Sequence, residues 1–566
     1  MKRCYILYII LLFNLNVKSQ TISVTTSAQT RVPPKVGYML NYLTKPEWTN
    51  QSFLDSVRKL NPSLIRYPGG TESQYFDWQT GRSIPSSNWT NGSLFNHSYI
   101  GIVPHVSHTL NDLLYFYQIT NVKPVFCLNL LTKTLSNQIE MLQTANSMGI
   151  PVEYIELGNE LYFEDQDFIN KYPNPIDYVL DMKDNWIPQL TALFPNANIA
   201  VIGSYDGLVD LNGNIVPSRI SNWNSTLYAQ NLTANAITFH YYIPPNTTLL
   251  SNPNASQALA APFKHWPTLQ NNTLNGVTNG MECWITEYNL NDGNQTNYAI
   301  ASSWIHGLYT ASLFSLMLED EKIKMLLNHQ IAGSPAFASL ASYTTFGDTI
   351  SNRLTAEGNA MRILHKAIKG KASAKKLQFS LNPLITIQTT NYPSLLGWFF
   401  ENTQEKALYV LNLSNTSFTL DVSANIVGNY EFEIINTTNP LLKNITSLNL
   451  NINKGINNGN ISIPPFSLLY ITDLVTLDVT NNTEENSFII FPNPANDVLT
   501  IKNKSSKIKL KEIQVLDILG RLIISKEVSG LDEEMKLHLE FLGKQPLLLK
   551  LIQSSGNVEI HKILKQ

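Results

Sequence analysis

Cysteine is nearly absent, with three residues in 566, and one of them, Cys4, falls in the apolar run at the N-terminus. A disulfide scaffold is therefore excluded as the organising principle. Cys127 and Cys283 sit in apolar runs and read as buried thiols, and nothing in their spacing indicates a bond between them. Charge is also scarce. Only 15% of residues are charged, and the formal net charge is -3 with both signs interspersed, so there is no basic stripe for nucleic acid and no cluster for an anionic membrane. After the N-terminus no apolar run approaches the roughly 20 residues that a spanning helix needs, so no membrane span is expected in the mature chain. His/Cys/Asp metal spacings, phosphate loops and dinucleotide fingerprints are missing too, and neither a metal nor a cofactor is expected. What is present is a 43% hydrophobic chain with a polar complement of Asn, Ser and Thr, which suits a sizeable core and neutral or weakly charged partners.

The first 20 residues, MKRCYILYIILLFNLNVKSQ, place Lys2 and Arg3 before an apolar stretch from Tyr5 to Leu15. This is the pattern of a secretory signal peptide, removed on export. Triplets such as Asn88-Trp89-Thr90 and Asn231-Leu232-Thr233 are glycan acceptors only in a eukaryotic secretory route.

From 33 to 370, short apolar runs alternate with segments of helical period, the mark of repeated strand-helix units around a parallel sheet. Eight strands are expected near 36-41, 63-67, 123-130, 152-158, 198-203, 236-242, 280-287 and 323-328. Amphipathic segments at 50-60, 134-148, 175-193, 296-318 and 354-369 separate most of them. Eight such units in about 340 residues predict an α/β fold of the (β/α)8 barrel (TIM barrel) type, with its largest insertion at 68-107. From 371 to 474 the texture becomes short alternating runs such as KALYVLNL and YEFEII, predicting a β-sandwich. Residues 475-486 are polar and Asn-rich and read as a linker, and 487-566 form a last, small all-β unit.

Two of the barrel runs end in glutamate. Tyr154-Ile155-Glu156-Leu157-Gly158-Asn159-Glu160 closes strand four, and Cys283-Trp284-Ile285-Thr286-Glu287 closes strand seven. Barrel active sites form at the C-terminal ends of the strands. Paired carboxylates there meet the need of glycoside hydrolysis, in which one carboxyl protonates the leaving oxygen and a second attacks the anomeric carbon or activates water. Arg66, at the end of strand two, has two readings: pairing with Glu287 to keep it ionised, or neutralising Glu156, which reads as a buried structural acid. His240 and Tyr242 lie two apart on strand six and so share a face. Tyr242 is expected to hydrogen-bond Glu287, whereas His240 reads either as a site residue or as a satisfied barrel histidine. Trp78, with Tyr75 and Phe76, offers an aromatic face to a sugar or packs its own loop. Asn129 on strand three and Gln330 on strand eight are further candidates for sugar hydroxyls.

The segments LIRYPGGT at 64-71, ELGNE at 156-160, FHYY at 239-242 and WITE at 284-287 resemble, in that order, the clan of retaining (β/α)8 glycosidases that includes heparanase, β-glucuronidase and α-L-arabinofuranosidase relatives. The resemblance spans about 33 to 475. It implies Glu160 as acid/base, Glu287 as nucleophile and Asn159 as donor to the sugar 2-hydroxyl, hence a secreted double-displacement hydrolase of poly- or oligosaccharides. Among basic side chains the insertion 68-107 offers only Arg82, His97 and His105, which favours a neutral sugar such as arabinofuranose over a uronic acid. The readings kept open beside it are a non-catalytic carbohydrate-binding surface protein on a degenerate barrel, and a transglycosidase using the same residues. At the other end, FPNPANDVLTI, VLDILGRLI and the terminal KILKQ resemble the type IX secretion sorting domain, although Gly543-Lys544-Gln545-Pro546 stands where that pattern has a Gly-aromatic pair. This second resemblance implies the type IX secretion machinery as a partner, and release from or attachment to the surface of a diderm bacterium.

Overall fold

A computed structural model describes residues 21–566 apart from 41–46, 84–107, 206, 246–253, 279, 291–299, 333–337, 342–351, 444–445, 475–486, 505–507, 518–519, 521, 529–533 and 541. The segments expected to be the signal peptide and the linker, with His97, His105 and most of the long insertion, lie outside the described residues.

Eight parallel strands close a barrel: Lys35–Met39, Leu64–Tyr67, Lys123–Cys127, Tyr154–Leu157, Asn198–Ile202, Ala236–Ile243, Glu282–Leu290 and Ile323–Asn328. Closure is made by the eighth strand on the first, where Met325 to Asn328 pair with Lys35 to Tyr38. The expected strands all occur, because runs such as AITF and CWITE are buried on both faces and their β-branched and aromatic residues fit a pleated sheet. Side chains from several strands, among them Leu64, Val125, Ala200, Trp284 and Met325, pack together as one cluster.

The helices follow their capping residues. Gln51–Leu60 starts at Asn50, whose side chain accepts from Phe53 N, and stops at Asn61 in the left-handed region. The segment 175-193 is helical with a widened turn at Met182–Trp186, just ahead of Pro188, which has no N–H to donate back along the helix. Helices Leu110–Thr120 and Ala255–Leu269 were not among the expected segments; the second contains Pro262 and Pro267, which break a helical reading of sequence. One expectation is corrected outright. The helix at Trp304–Met317 is not amphipathic, because all of its residues are buried. It lies between barrel and sandwich, with Trp304 Nε1 donating to Phe466 O, Trp398 Nε1 donating to Ser315 O, and Ser315 Oγ 2.9 Å from the Tyr409 hydroxyl. A helix covered on two sides shows no polar stripe.

The sandwich module is not made from its own segment alone. Thr21–Thr26 pairs antiparallel with Ser373–Phe379 and parallel with Phe418–Asp421, so the first described strand lies inside, seventh in a nine-strand order whose other members come from 373 to 473. Ile22 and Val24 enter its core with Phe399, Leu408, Val410 and Ile471.

Residues 475–566 form a separate compact unit. Its three-stranded and four-stranded antiparallel sheets share a core of Phe488, Leu499, Ile501, Ile513, Val515, Leu549 and Ile563. Among the described residues, no helix is long and apolar enough to cross a membrane.

Candidate active site

Strand four stops at Gly158, with φ +96°, and Glu160 follows with φ +49°. A glutamate in the left-handed region costs on the order of 1 kcal/mol and is kept only where the surroundings demand it. The turn brings Asn159 and Glu160 over the barrel mouth. Strand seven carries the other device. Its register against strand six slips between Ile285 and Glu287, so that Ile285 faces Phe239 while Glu287 faces His240. Thr286 is thus an extra residue, a bulge, and adjacent Thr286 and Glu287 both reach the site although neighbours on a regular strand point apart.

Arg66 organises the floor. Its Nε donates to Glu156 Oε2 at 2.5 Å, Nη1 to Glu287 Oε1 at 2.7 Å and Nη2 to Asn159 Oδ1 at 2.8 Å. Both readings of Arg66 therefore hold together, with Glu156 also accepting from Thr286 Oγ1 at 3.0 Å. The Tyr242 hydroxyl donates to Glu287 Oε2. Burial would push the Glu287 carboxyl up, but His240, His329, Arg66 and the Tyr242 bond outweigh it and hold Glu287 well below the usual carboxylate range. Burial drives His329 itself toward its neutral form, so Arg66 and His240 are the cations that matter. Burial and the nearby carboxylates raise Tyr242, which stays protonated as a donor.

His240 is not merely a packed barrel histidine. Its Nδ1 is 2.7 Å from Glu160 Oε1 and 3.7 Å from Glu287 Oε2, and its Nε2 is 3.2 Å from Thr286 Oγ1. Burial lowers its affinity for a proton, yet Glu287 and Glu160 reverse this and raise its pKa above the ordinary value. Glu160 and Glu287 face each other across this imidazole, with one oxygen of each and a His240 nitrogen all within 4.8 Å. Three such atoms could in principle hold a metal. Here both oxygens of Glu287 already accept from Arg66 and Tyr242, and a guanidinium stands beside the site, so the donor set fits a proton better than a dication.

Gly70 has a steric reason. A Cβ there would stand 2.8 Å from Glu287 Oε1, so the Pro-Gly-Gly turn lets backbone approach the carboxylate. Sequence reading missed Thr286, His329 and Glu72, whose Oε2 would lie 3.8 Å from that same Cβ. No local signal marks them, since their proximity depends on the bulge and on barrel closure.

Three other candidates are not drawn into this cluster. Trp78 packs in the large hydrophobic core. Asn129 is spent on structure: Nδ2 donates to Phe76 O and Thr132 Oγ1, and Oδ1 accepts from Leu131 N and Thr132 N. Asn129→Ala is expected to lower stability by about 2 kcal/mol, as buried loop bonds are lost, and to leave substrate KM unchanged; thermal denaturation and kinetics together check this. Gln330 is buried, and its Oε1 has no partner among the described residues. Arg82 is exposed. The buried Cys127 thiol, pushed up to about 12 by burial, lies 3.5 Å from Arg66 Nη2, and both it and Cys283 are free.

Residues 489–566 match the secretion system C-terminal sorting domain, so the chain is secreted or attached to the cell surface. No curated protein matches the chain. Solved structures do. A family 51 α-L-arabinofuranosidase from Bifidobacterium longum superposes with TM-score 0.59 at 13% identity, over 80% of this chain and 98% of its own. The family 51 α-L-arabinofuranosidase of Thermotoga petrophila gives 0.56 at 12%, over 80% and 99%. That of Xanthomonas axonopodis pv. citri gives 0.54 at 12%, also over 80% and 99%. The chain thus shares the fold of these glycosidases, a closed parallel barrel with an antiparallel sheet module, and ends in a type IX secretion sorting domain.

Proposed function

We propose that the protein is a secreted retaining glycoside hydrolase in which Glu287 is the nucleophile and Glu160 the acid/base. The supporting observation is the spacing of their carboxylate oxygens, within 4.8 Å of one another. Covalent retention uses carboxyls roughly 5 Å apart, whereas inversion needs a wider gap for a water.

Glu287, held ionised by Arg66 and Tyr242, attacks the anomeric carbon while Glu160 gives its proton to the departing oxygen. Glu160 then takes a proton from water, which displaces Glu287 and frees the sugar. The proton for the first step is shared with His240, 2.7 Å from Glu160. The Arg66 bond fixes the Asn159 amide so that Oδ1 faces the guanidinium. Its Nδ2 donates at 3.4 Å to both Glu160 Oε2 and Thr71 Oγ1, and exchanging one of these long bonds lets it donate to the sugar 2-hydroxyl, a bond that gains strength as positive charge grows on the ring. Arg66, the guanidinium of this cluster, is already matched by two carboxylates and is not available to a uronate, which supports a neutral sugar. Arabinofuranose is the first to try, since the solved structures that share this fold include α-L-arabinofuranosidases.

Glu160→Ala separates the two carboxylates. Turnover of an alkyl glycoside is expected to fall by roughly 10²- to 10⁴-fold, whereas the first step with a 4-nitrophenyl glycoside needs little protonation and is spared. Added azide, attacking the glycosyl-Glu287 ester, restores turnover and yields a glycosyl azide of the substrate's own anomeric configuration. An azide of opposite configuration would exclude the covalent role of Glu287.

A further inference from the structure

A cavity of about 300 Å³ opens beside Glu160, lined on its inner side by Glu160, His240 and Tyr242 but not by Glu287. In a double displacement the leaving group departs from the face opposite the nucleophile and toward the acid. A cavity that holds the acid and omits the nucleophile therefore lies on the leaving-group side. Resting on the hydrolase reading above, we propose that this cavity is the aglycone subsite and that it takes an uncharged group presenting an apolar ring face.

The lining gives the chemistry. Away from the carboxylates its walls are Phe163, Tyr205, Leu211, Ile215, Val216 and Pro217. One further ionisable acid lines it, Asp210, and its carboxylate is committed to its own turn. It accepts from Asn212 N at 2.9 Å, Asn214 N at 2.8 Å and Asn214 Nδ2 at 3.0 Å. Apolar surface also continues outward beside Asp210 and Asn212: Leu208 is 76% and Ile215 88% exposed. Large apolar side chains left in water beside a pocket mark a contact surface.

The walls are also fixed in advance. The Tyr205 hydroxyl donates to Val209 O and accepts from Asn272 Nδ2 at 2.7 Å. Arg219 ties the far side to the strand-four turn through Leu161 O at 2.8 Å and Pro173 O at 2.9 Å. A preformed site spends little binding energy on ordering loops. The apolar face could belong to a phenolic ring or to the C–H face of a second sugar, and the substrates of the test distinguish them.

The experiment compares full-length wild type with Ile215→Asp and Leu211→Asp, using a 4-nitrophenyl glycoside and an oligosaccharide of the same glycone. It reads kcat/KM, which reports the glycosylation step, and the inhibition constant of the free monosaccharide. Ile215 is exposed, so that variant should fold even if Leu211→Asp does not. The expected result is a drop of at least tenfold in kcat/KM with the monosaccharide constant unchanged. Loss greater for the aryl substrate assigns a phenolic ring, and loss greater for the oligosaccharide assigns a sugar ring. Values for Ile215→Asp within twofold of wild type on both substrates, or an equal shift in the monosaccharide constant, would overturn the assignment. If wild type cleaves no glycoside at all, the hydrolase reading itself fails and takes the subsite with it.

Discussion

Glu287→Gln should abolish turnover by at least about 10³-fold, equivalent to roughly 4 kcal/mol of barrier, with the circular dichroism and melting temperature close to wild type. The size follows from the proposed chemistry: an amide at this position cannot form the glycosyl ester, and nothing else nearby replaces it. Cys127 is kept protonated by burial, and Glu156 is held by Arg66 and Thr286. The fold should survive because Arg66 keeps Glu156 as a counter-charge and Asn159 as a third partner, so no buried charge is stranded. Wild-type rates in a folded Glu287→Gln protein would remove it from the chemistry.

Replacing Glu357 with Gln should do the reverse, leaving activity alone and making the fold more stable. Glu357 lies between the barrel and the helix Ala356–Ile368, and its Oε1 accepts from Asn289 Nδ2 and Asn328 Nδ2, each at 2.9 Å. The neighbouring His306 is neutral, because burial lowers it to about 3. Its Nδ1 accepts from Ser302 N, so the proton is on Nε2, which donates to Asn289 Oδ1 at 2.8 Å. Among the described residues no cation compensates the carboxylate, and burial raises it to about 8 despite the two amide bonds. The folded chain thus holds a proton that the unfolded chain releases near 4.5, so stability falls as pH rises from there to about 8. The loss is roughly 1.4 kcal/mol per pH unit. Gln keeps the acceptor and has no charge to bury. Glu357→Gln is expected to match wild type at pH 4 and to gain about 3 kcal/mol at pH 7, read by denaturant titration at both. An equal difference at the two pH values would mean that ionisation of Glu357 is not the cause.

The barrel could be read from the sequence because its strands are short apolar runs buried on both faces, bounded by turns. Glu160, Glu287, Arg66 and Tyr242 could be placed because each lies at the end of such a run, and strand ends in a closed barrel converge. Side chains whose position depends on an irregularity could not. Thr286 reaches the site through a bulge that leaves CWITE looking like any regular strand. Asn129 looked like a ligand because strand three ends there, yet Phe76 and the loop residues Leu131 and Thr132 take up its side-chain hydrogen bonds. Trp304–Met317 carries no periodic stripe to reveal that two modules cover it, and the aglycone cavity is built by a loop without hydrophobic period. The pairing of Thr21–Thr26 with strands some 350 to 400 positions away leaves no local trace at all.

That pairing also constrains the order of assembly. The sheet module has one interior strand ahead of the barrel and that strand's neighbours beyond it, with Thr21 opposite Thr419 and Val24 opposite Phe379. During synthesis or threaded transport from the N-terminus, this strand precedes its first partner by about 350 positions and its second by about 400, and must wait for them unmatched. Contacts so far apart in sequence are slow to form. The two edges that it later fills stay open to intermolecular pairing until then. Loss of those six residues would separate Phe418–Asp421 and the strand beyond it from the rest of the sheet.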